Sequence, residues 1–316
     1  MQYDSDQQHN EQKYTGVWPV MLTPFDERGE IDYDSLGRLV TWYLAAGVHG
    51  LFAACQSSEM FFLSDKETRE LVRFIVELVD GRVPVVASGH TACGISQQVE
   101  QLNGMAETGI DGLILISNRL ALSGESDQVA LDQLQLLTAQ LPTYVDLGIY
   151  ECPYPYKRLL SDDTVAWCAR SGRYTFIKDT CCDLPTIKRR LQLAQGTRLH
   201  LANANSQTLL PSLQAGCQAY SGVMANFHPQ LYVWLYEHWR EQPLLAQQLS
   251  DYLSTAALVE FLDYPACAKH YQQQCGNFST HICRVRSSAA YGESFFPDAI
   301  SSMLRLGQPF TTQLNP

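Results

Sequence analysis

Short apolar runs rich in β-branched and aromatic residues alternate with longer amphipathic ones through the first three-quarters of the chain. That alternation is the pattern of repeated strand–helix units on a parallel sheet. The apolar runs predict eight strands, at residues 17–23, 50–54, 84–88, 112–116, 143–150, 174–178, 198–202 and 219–223. The helical period predicts helices at 34–46, 65–79, 96–108, 127–140, 162–169, 184–195, 208–215 and 230–237. Ser64-Asp65-Lys66-Glu67 has the spacing of a capping box, in which Ser64 and Glu67 satisfy each other's free N–H groups, so a helix starts there. Gly47, Gly81, Gly109, Gly172, Gly196 and Gly216 each fall between an amphipathic run and the next strand, where a left-handed helix stop prefers glycine.

Eight such units wind either into a closed (β/α)8 barrel or into an open doubly wound sheet. No G-x-G-x-x-G fingerprint follows the first strand, and the barrel is therefore the fold expected. A single α/β barrel takes about 250 residues, which leaves an appended segment in a chain of 316. From Gln242 to Leu306 the sequence is helical in period and holds no convincing strand. The expected division is a polar tail at 1–13, the barrel at 14–240, and a C-terminal helical extension at 241–316 for packing or subunit contact.

Hydrophobic residues make up 46% of the chain and charged residues 17%, enough apolar material for a large core and no sign of disorder. The net charge of −11 repels phosphate backbones and anionic lipid, which argues against nucleic acid or a membrane as partner. An anionic substrate must then be held locally, by backbone N–H groups, hydroxyls and a few placed cations. The first 13 residues lack the charged-then-apolar pattern of a signal peptide, and no apolar run approaches the ~20 residues of a membrane span. Cytoplasmic residence is the expectation. The ten cysteines are scattered singly except for Cys181-Cys182, with no C-x-x-C pair. They read as reduced thiols, and packing is favoured over metal or redox work for the adjacent pair because no histidine or third cysteine completes a ligand set.

Of the six lysines, five sit in segments read as tail, loop or helix surface. Lys178 instead closes the strand Tyr174-Thr175-Phe176-Ile177-Lys178, and a barrel presents that end of its strands to the active-site face. Losing water there disfavours the ammonium and yields a neutral amine able to attack a carbonyl. The plainer reading is a strand-end lysine paired to Asp179. Tyr150 ends the fifth strand just before Glu151-Cys152-Pro153, so its phenol is either a proton relay or a packed aromatic. After the second strand, Cys55-Gln56-Ser57-Ser58-Glu59 is a polar turn that holds a carboxylate or is simply a capped loop.

Taken together, these places resemble the dihydrodipicolinate synthase and N-acetylneuraminate lyase family of Schiff-base barrels, over Gly16 to about Lys269. The stretches that carry the resemblance are Thr23-Pro24-Phe25, Gln56-Ser57-Ser58-Glu59, Tyr150-x-x-Pro153, Ile177-Lys178-Asp179-Thr180 and Gly222-Val223-Met224-Ala225-Asn226. The resemblance implies that Lys178 forms the imine, Tyr150 relays protons, and Ser57 with neighbouring N–H groups cradles the substrate carboxylate. It also implies a homo-oligomer, tetramer or dimer. At that turn Gln56 departs from the family's threonine or serine, and Ser58 from its glycine. Ser117-Asn118-Arg119-Leu120 stands where synthases carry Thr-Pro-Tyr-Tyr, which argues against dihydrodipicolinate synthesis proper. Lys157 and Arg158 follow the tyrosine motif at a displaced position and are candidates for a second carboxylate. Gln56, Ser57, Ser58, His90, Arg119, Asn203 and Gly222 are the residues expected around a substrate, with Asn205 beside them.

The activity implied is a lyase or aldolase of a 2-oxo acid such as pyruvate, with no metal, flavin or nicotinamide, because an imine supplies its own electron sink. A dehydratase of a deoxy-oxo sugar acid begins from the same imine. From another class, a non-catalytic 2-oxo acid binder also fits the altered turn.

Overall fold

A computed structural model describes residues 13–286, 291 and 294–314. The expected tail lies, apart from Lys13, outside the described residues. Eight parallel strands run β1 (Gly16–Val17), β2 (Leu51–Phe52), β3 (Val85–Ala87), β4 (Gly112–Ile116), β5 (Asp146–Tyr150), β6 (Tyr174–Asp179), β7 (His200–Asn203) and β8 (Ala219–Tyr220). Each pairs with its sequence neighbour from β2 to β8, and β8 pairs with β1. The ring closes between the first strand region and β2: the Phe52 N–H donates to the Pro19 carbonyl and the Met21 N–H to the Phe52 carbonyl, both at 3.0 Å. The chain is thus a (β/α)8 barrel.

Seven of the predicted strands contain an observed one or nearly all of it, whereas the first, at 17–23, shares only Val17 with β1, and the ladders at β1, β2 and β8 are only two residues long. Pro19, whose carbonyl faces β2, has no N–H to donate on that side, which keeps the β1–β2 contact from extending into a regular ladder. Between strands lie α1 (Tyr33–Ala45), α2 (Asp65–Val79), α3 (Ile95–Ala106), α4 (Asp127–Thr138), α5 (Asp162–Ser171), α6 (Leu184–Ala194) and α7 (Leu209–Gln214), with α8 (Pro229–His238) after β8. The capping box forms as its spacing predicts: Ser64 accepts from the Glu67 N–H, and Glu67 accepts from the Ser64 N–H at 2.8 Å. Gly172 caps α5 in the left-handed region, at φ 67°.

Two apolar layers follow from the alternation of side chains on the strands. Outward residues such as Leu113, Leu115, Leu147 and Ile177 meet the helices. Inward residues fill the barrel with Tyr14, Trp18, Phe52, Ile114, Tyr150 and Phe176. Trp18 stacks on Tyr14 and packs against Phe176 at ring-centroid distances of 5.9 and 5.5 Å, which plugs the barrel below its mouth.

The extension continues with α9 (Pro243–Ala256), α10 (Ala266–Gln274) and α11 (Phe296–Leu314). α9 and α11 both pack on α8. The chain after α10 then runs back to the barrel. Thr280 donates to the Phe25 carbonyl at 2.6 Å, Ser279 to Asp32 at 2.8 Å, and the Arg284 guanidinium to the Gly29 carbonyl and to Glu67. Among the described residues no helix is long and apolar enough to cross a membrane.

Candidate active site

A cavity of about 300 Å³ opens at the C-terminal ends of β2, β5, β6, β7 and β8. Lys178 and Tyr150 are opposite each other in the β5–β6 register, so the two side chains emerge together into the barrel mouth. The Lys178 Nζ sits 4.0 Å from the centroid of the Tyr150 ring and 5.7 Å from that of Phe52. Lys178 is only 4% exposed. Burial lowers its pKa to about 8, with the thiols of Cys55 and Cys152 pushing weakly the other way. Those thiols supply no counter-charge near neutral pH: burial raises both, Cys152 to about 11.

The plainer reading of Lys178, an ion pair with Asp179, is not what the chain forms. Asp179 is taken by the buried Arg190, which also donates to Glu151 at 2.6 Å and to the Leu160 carbonyl at 2.9 Å. Glu151 in turn accepts from the Thr180 N–H at 2.8 Å. This buried network ties the ends of β5 and β6 together on the outside of the barrel and leaves the Lys178 amine with aromatic rings for neighbours. Burial also lifts the Tyr150 pKa well above its usual value, so the phenol stays protonated.

The polar turn after β2 divides its side chains by role. Ser57 reaches the cavity, and its Oγ accepts from the Tyr264 hydroxyl at 2.8 Å. Gln56 also lines it, while its Oε1 accepts from the Tyr154 N–H at 3.2 Å and so fastens the loop after β5. Thr23, from the Thr23-Pro24-Phe25 stretch, donates to the Ser58 carbonyl at 2.8 Å and holds the turn from below.

Five residues expected to touch substrate stand behind the cavity wall instead. Ser58 is buried inside its own turn, accepting from the Cys55 N–H at 2.8 Å and donating to the Cys55 carbonyl at 2.7 Å. His90 accepts from the Ile116 N–H at 2.6 Å and meets Gln98 at 3.1 Å, a link between the ends of β3 and β4. Burial drops its pKa to about 4 and keeps the ring neutral. Asn203 donates to Thr208 and Ser212, each at 3.0 Å, and fixes the start of α7. The Arg119 guanidinium lies 5.2 Å from the Phe61 ring and backs that wall from outside. Gly222 is a packing glycine: a Cβ there would meet the Tyr220 hydroxyl at 2.3 Å and the Ala204 carbonyl at 2.5 Å. Of the two displaced cations, Lys157 lines the cavity and donates to the Thr180 carbonyl, whereas Arg158 turns outward to Asp127 at 2.8 Å. Asn205 lines the cavity.

Six lining residues come from the extension, where strand-end reasoning does not look, and three of them bring polar side chains: Glu260, Tyr264 and Arg286. Glu59 also faces the cavity. It forms a buried ion pair with Lys269 and accepts from the N–H groups of Arg284 and Val285 at 2.6 and 2.7 Å. Lys269 had the look of a helix-surface lysine; its amine is instead fully buried, 4.3 Å from the Phe25 ring centroid. In the sequence Glu59 stands only as the last residue of a polar turn, with no signal of this pair.

The chain matches the dihydrodipicolinate synthetase family over residues 13–284. It is 27% identical over 241 residues to a 4-hydroxy-tetrahydrodipicolinate synthase from Methanoculleus marisnigri, spanning 76% of this chain and 81% of that protein. It is 30% identical over 264 residues to a probable 5-dehydro-4-deoxyglucarate dehydratase from Pseudarthrobacter chlorophenolicus, spanning 81% of each. Among solved structures, a prophage protein of the dihydrodipicolinic acid synthase family from E. coli K12, in complex with pyruvate, superposes with a TM-score of 0.80 at 22% identity over 95% of this chain and 98% of that one. The likeness in structure, at that identity, speaks for the fold alone.

Proposed function

Because the chain belongs to the dihydrodipicolinate synthetase family, we propose that it is a lyase in which Lys178 forms a Schiff base with a 2-oxo acid such as pyruvate. The observation that carries the proposal is a buried, unpaired amine at a strand end, with its pKa lowered to about 8 and a protonated phenol beside it in the same cavity. The neutral amine attacks the C2 carbonyl, a C–N bond forms, and the carbonyl oxygen leaves as water after accepting two protons. Tyr150 is the group we assign to proton transfer at that oxygen, and the Ser57 hydroxyl the donor to the substrate carboxylate. The resulting iminium withdraws electrons from the bonds at C3. In a 4-hydroxy-2-oxo acid the C4 hydroxyl then gives up its proton, the C3–C4 electron pair passes into the iminium to leave the enamine of pyruvate, and C4 departs as an aldehyde; condensation with pyruvate is the reverse.

A dehydratase is the second reading, favoured by the 30% identity to the probable 5-dehydro-4-deoxyglucarate dehydratase. It uses the same iminium to acidify C3–H and expel a C4 hydroxyl as water, leaving the carbon skeleton whole. Borohydride reduction in the presence of pyruvate tests the common step. We expect one covalent adduct, located at Lys178 by peptide mass mapping and missing in Lys178→Ala. An adduct elsewhere, or full activity in Lys178→Ala, overturns the proposal. Product analysis with deoxy-oxo sugar acids then separates the readings: pyruvate and an aldehyde for the lyase, water loss without chain cleavage for the dehydratase.

A further inference from the structure

A chain of hydrogen bonds runs from the barrel wall to the cavity, and its direction is fixed at the inner end. The Asn226 Nδ2 lies 3.0 Å from the Val20 carbonyl, which can only accept, so that atom is the amide nitrogen and the other is the oxygen. The Oδ1 consistently accepts from the Tyr43 hydroxyl. The second N–H on Nδ2 points at the Tyr264 hydroxyl, 3.0 Å away, which must accept it. Having accepted there, Tyr264 turns its proton to the next oxygen, Ser57 Oγ at 2.8 Å. Burial raises the pKa of Tyr264 well above the usual tyrosine value, so the proton is present to donate. Ser57 therefore accepts from Tyr264 and must send its own O–H elsewhere. The described protein offers that proton only the sulfur of Cys55, a weak acceptor, and otherwise the cavity.

We propose that Tyr264 is a positioning residue: it fixes the Ser57 hydroxyl as a donor aimed into the cavity, at an anionic oxygen of the substrate. The inference rests on the reading of the cavity as a 2-oxo acid site, and it adds the C-terminal extension to the machinery that recognises the carboxylate. A serine free to rotate spends part of its time accepting rather than donating. One held by Tyr264 is committed to donation before the anion arrives, and that preorganisation appears as affinity.

The test is a pyruvate titration by calorimetry on the full chain, with four proteins: wild type, Tyr264→Phe, Ser57→Ala and the double variant. Loss of an aimed donor to a carboxylate weakens pyruvate binding by about ten-fold. We expect that loss in Ser57→Ala, a comparable or smaller one in Tyr264→Phe, and no further loss in the double variant, because Tyr264 acts through Ser57. Ser57→Thr, which keeps the hydroxyl, retains binding. If Tyr264→Phe binds as wild type does, or costs the same in the Ser57→Ala background as alone, the positioning role is wrong while the 2-oxo acid reading stands. Should Tyr264→Phe not fold, wild-type affinity in Ser57→Ala overturns the proposal by itself. A wild-type protein that neither binds nor traps pyruvate overturns both.

Discussion

The amine of Lys178 costs the fold stability in proportion to the work it is proposed to do. Its ordinary pKa of 10.5 falls to about 8 on burial, a difference worth on the order of 3 kcal/mol between the two protonation states. Between those two values the unfolded chain still holds the proton that the folded chain has lost, so stability rises with pH across that window. Below about pH 8 the full cost is present. Lys178→Met, of similar length and without charge, is therefore expected to stabilise the protein at neutral pH by up to about 3 kcal/mol. The gain should fade toward pH 10.5, where the unfolded lysine is neutral as well. Urea denaturation of both proteins at neutral and alkaline pH measures it, and equal stability at both would show that the amine is not desolvated. Borohydride trapping has the matching pH dependence: its initial rate rises from pH 6 and levels above about 8, as the neutral amine becomes the major form. Lys178 and Tyr150 were legible in the sequence because each ends an apolar run just before a polar turn. His90, Asn203 and Ser58 end or follow runs of the same kind. What separates them is their partners Gln98, Ser212 and the Cys55 backbone, and a spacing along one strand does not reveal what reaches it from behind.

Strand–helix units were the most readable elements, since two periodicities, turn glycines and a capping box all pointed the same way. The extension was read only as a helical segment for packing or subunit contact. Its amphipathic periods carried no sign that the segment after α10 bends back over the mouth through Glu59, Lys269 and Arg284. That strap hangs on a buried charge. Glu59 is held at φ 60° and satisfied by Lys269 and two backbone N–H groups, so removing the lysine leaves a carboxylate in an apolar pocket with Phe25 beside it. Breaking one side of such a pair costs about 3–5 kcal/mol. Lys269→Met is expected to destabilise by that amount, read from the urea midpoint, while a paired Glu59→Gln, Lys269→Met change recovers most of it. A single variant as stable as wild type would mean that the ion pair does not hold the strap.

At the scale of the molecule, the division at residue 240 marks where the strand–helix units stop, not where packing does. Asn226 shows the difference within one residue: its side chain meets Val20 of the barrel and Tyr264 of the extension, and its carbonyl accepts from Gln272 on α10 at 2.7 Å. Tyr252 on α9 meets His228 at 3.0 Å and donates to the Met303 carbonyl on α11 at 2.8 Å. Cutting the chain at 240 would strip the cover from α8 and leave Glu59 unpaired, so the extension belongs to the same cooperative unit as the barrel. The five tryptophans, Trp18, Trp42, Trp167, Trp234 and Trp239, all precede that point, whereas α9, α10 and α11 contribute to the helical circular dichroism. Fluorescence therefore reports mainly the barrel, with Trp42 edge-on against Tyr271 of α10, and dichroism reports both parts. We expect the two signals to lose native structure at the same denaturant concentration, and the 1–240 fragment to show no cooperative transition of its own. Dichroism falling at lower denaturant than fluorescence would make the extension a separate unit. It would then also leave Tyr264 able to detach from Ser57 without unfolding the barrel that carries Lys178.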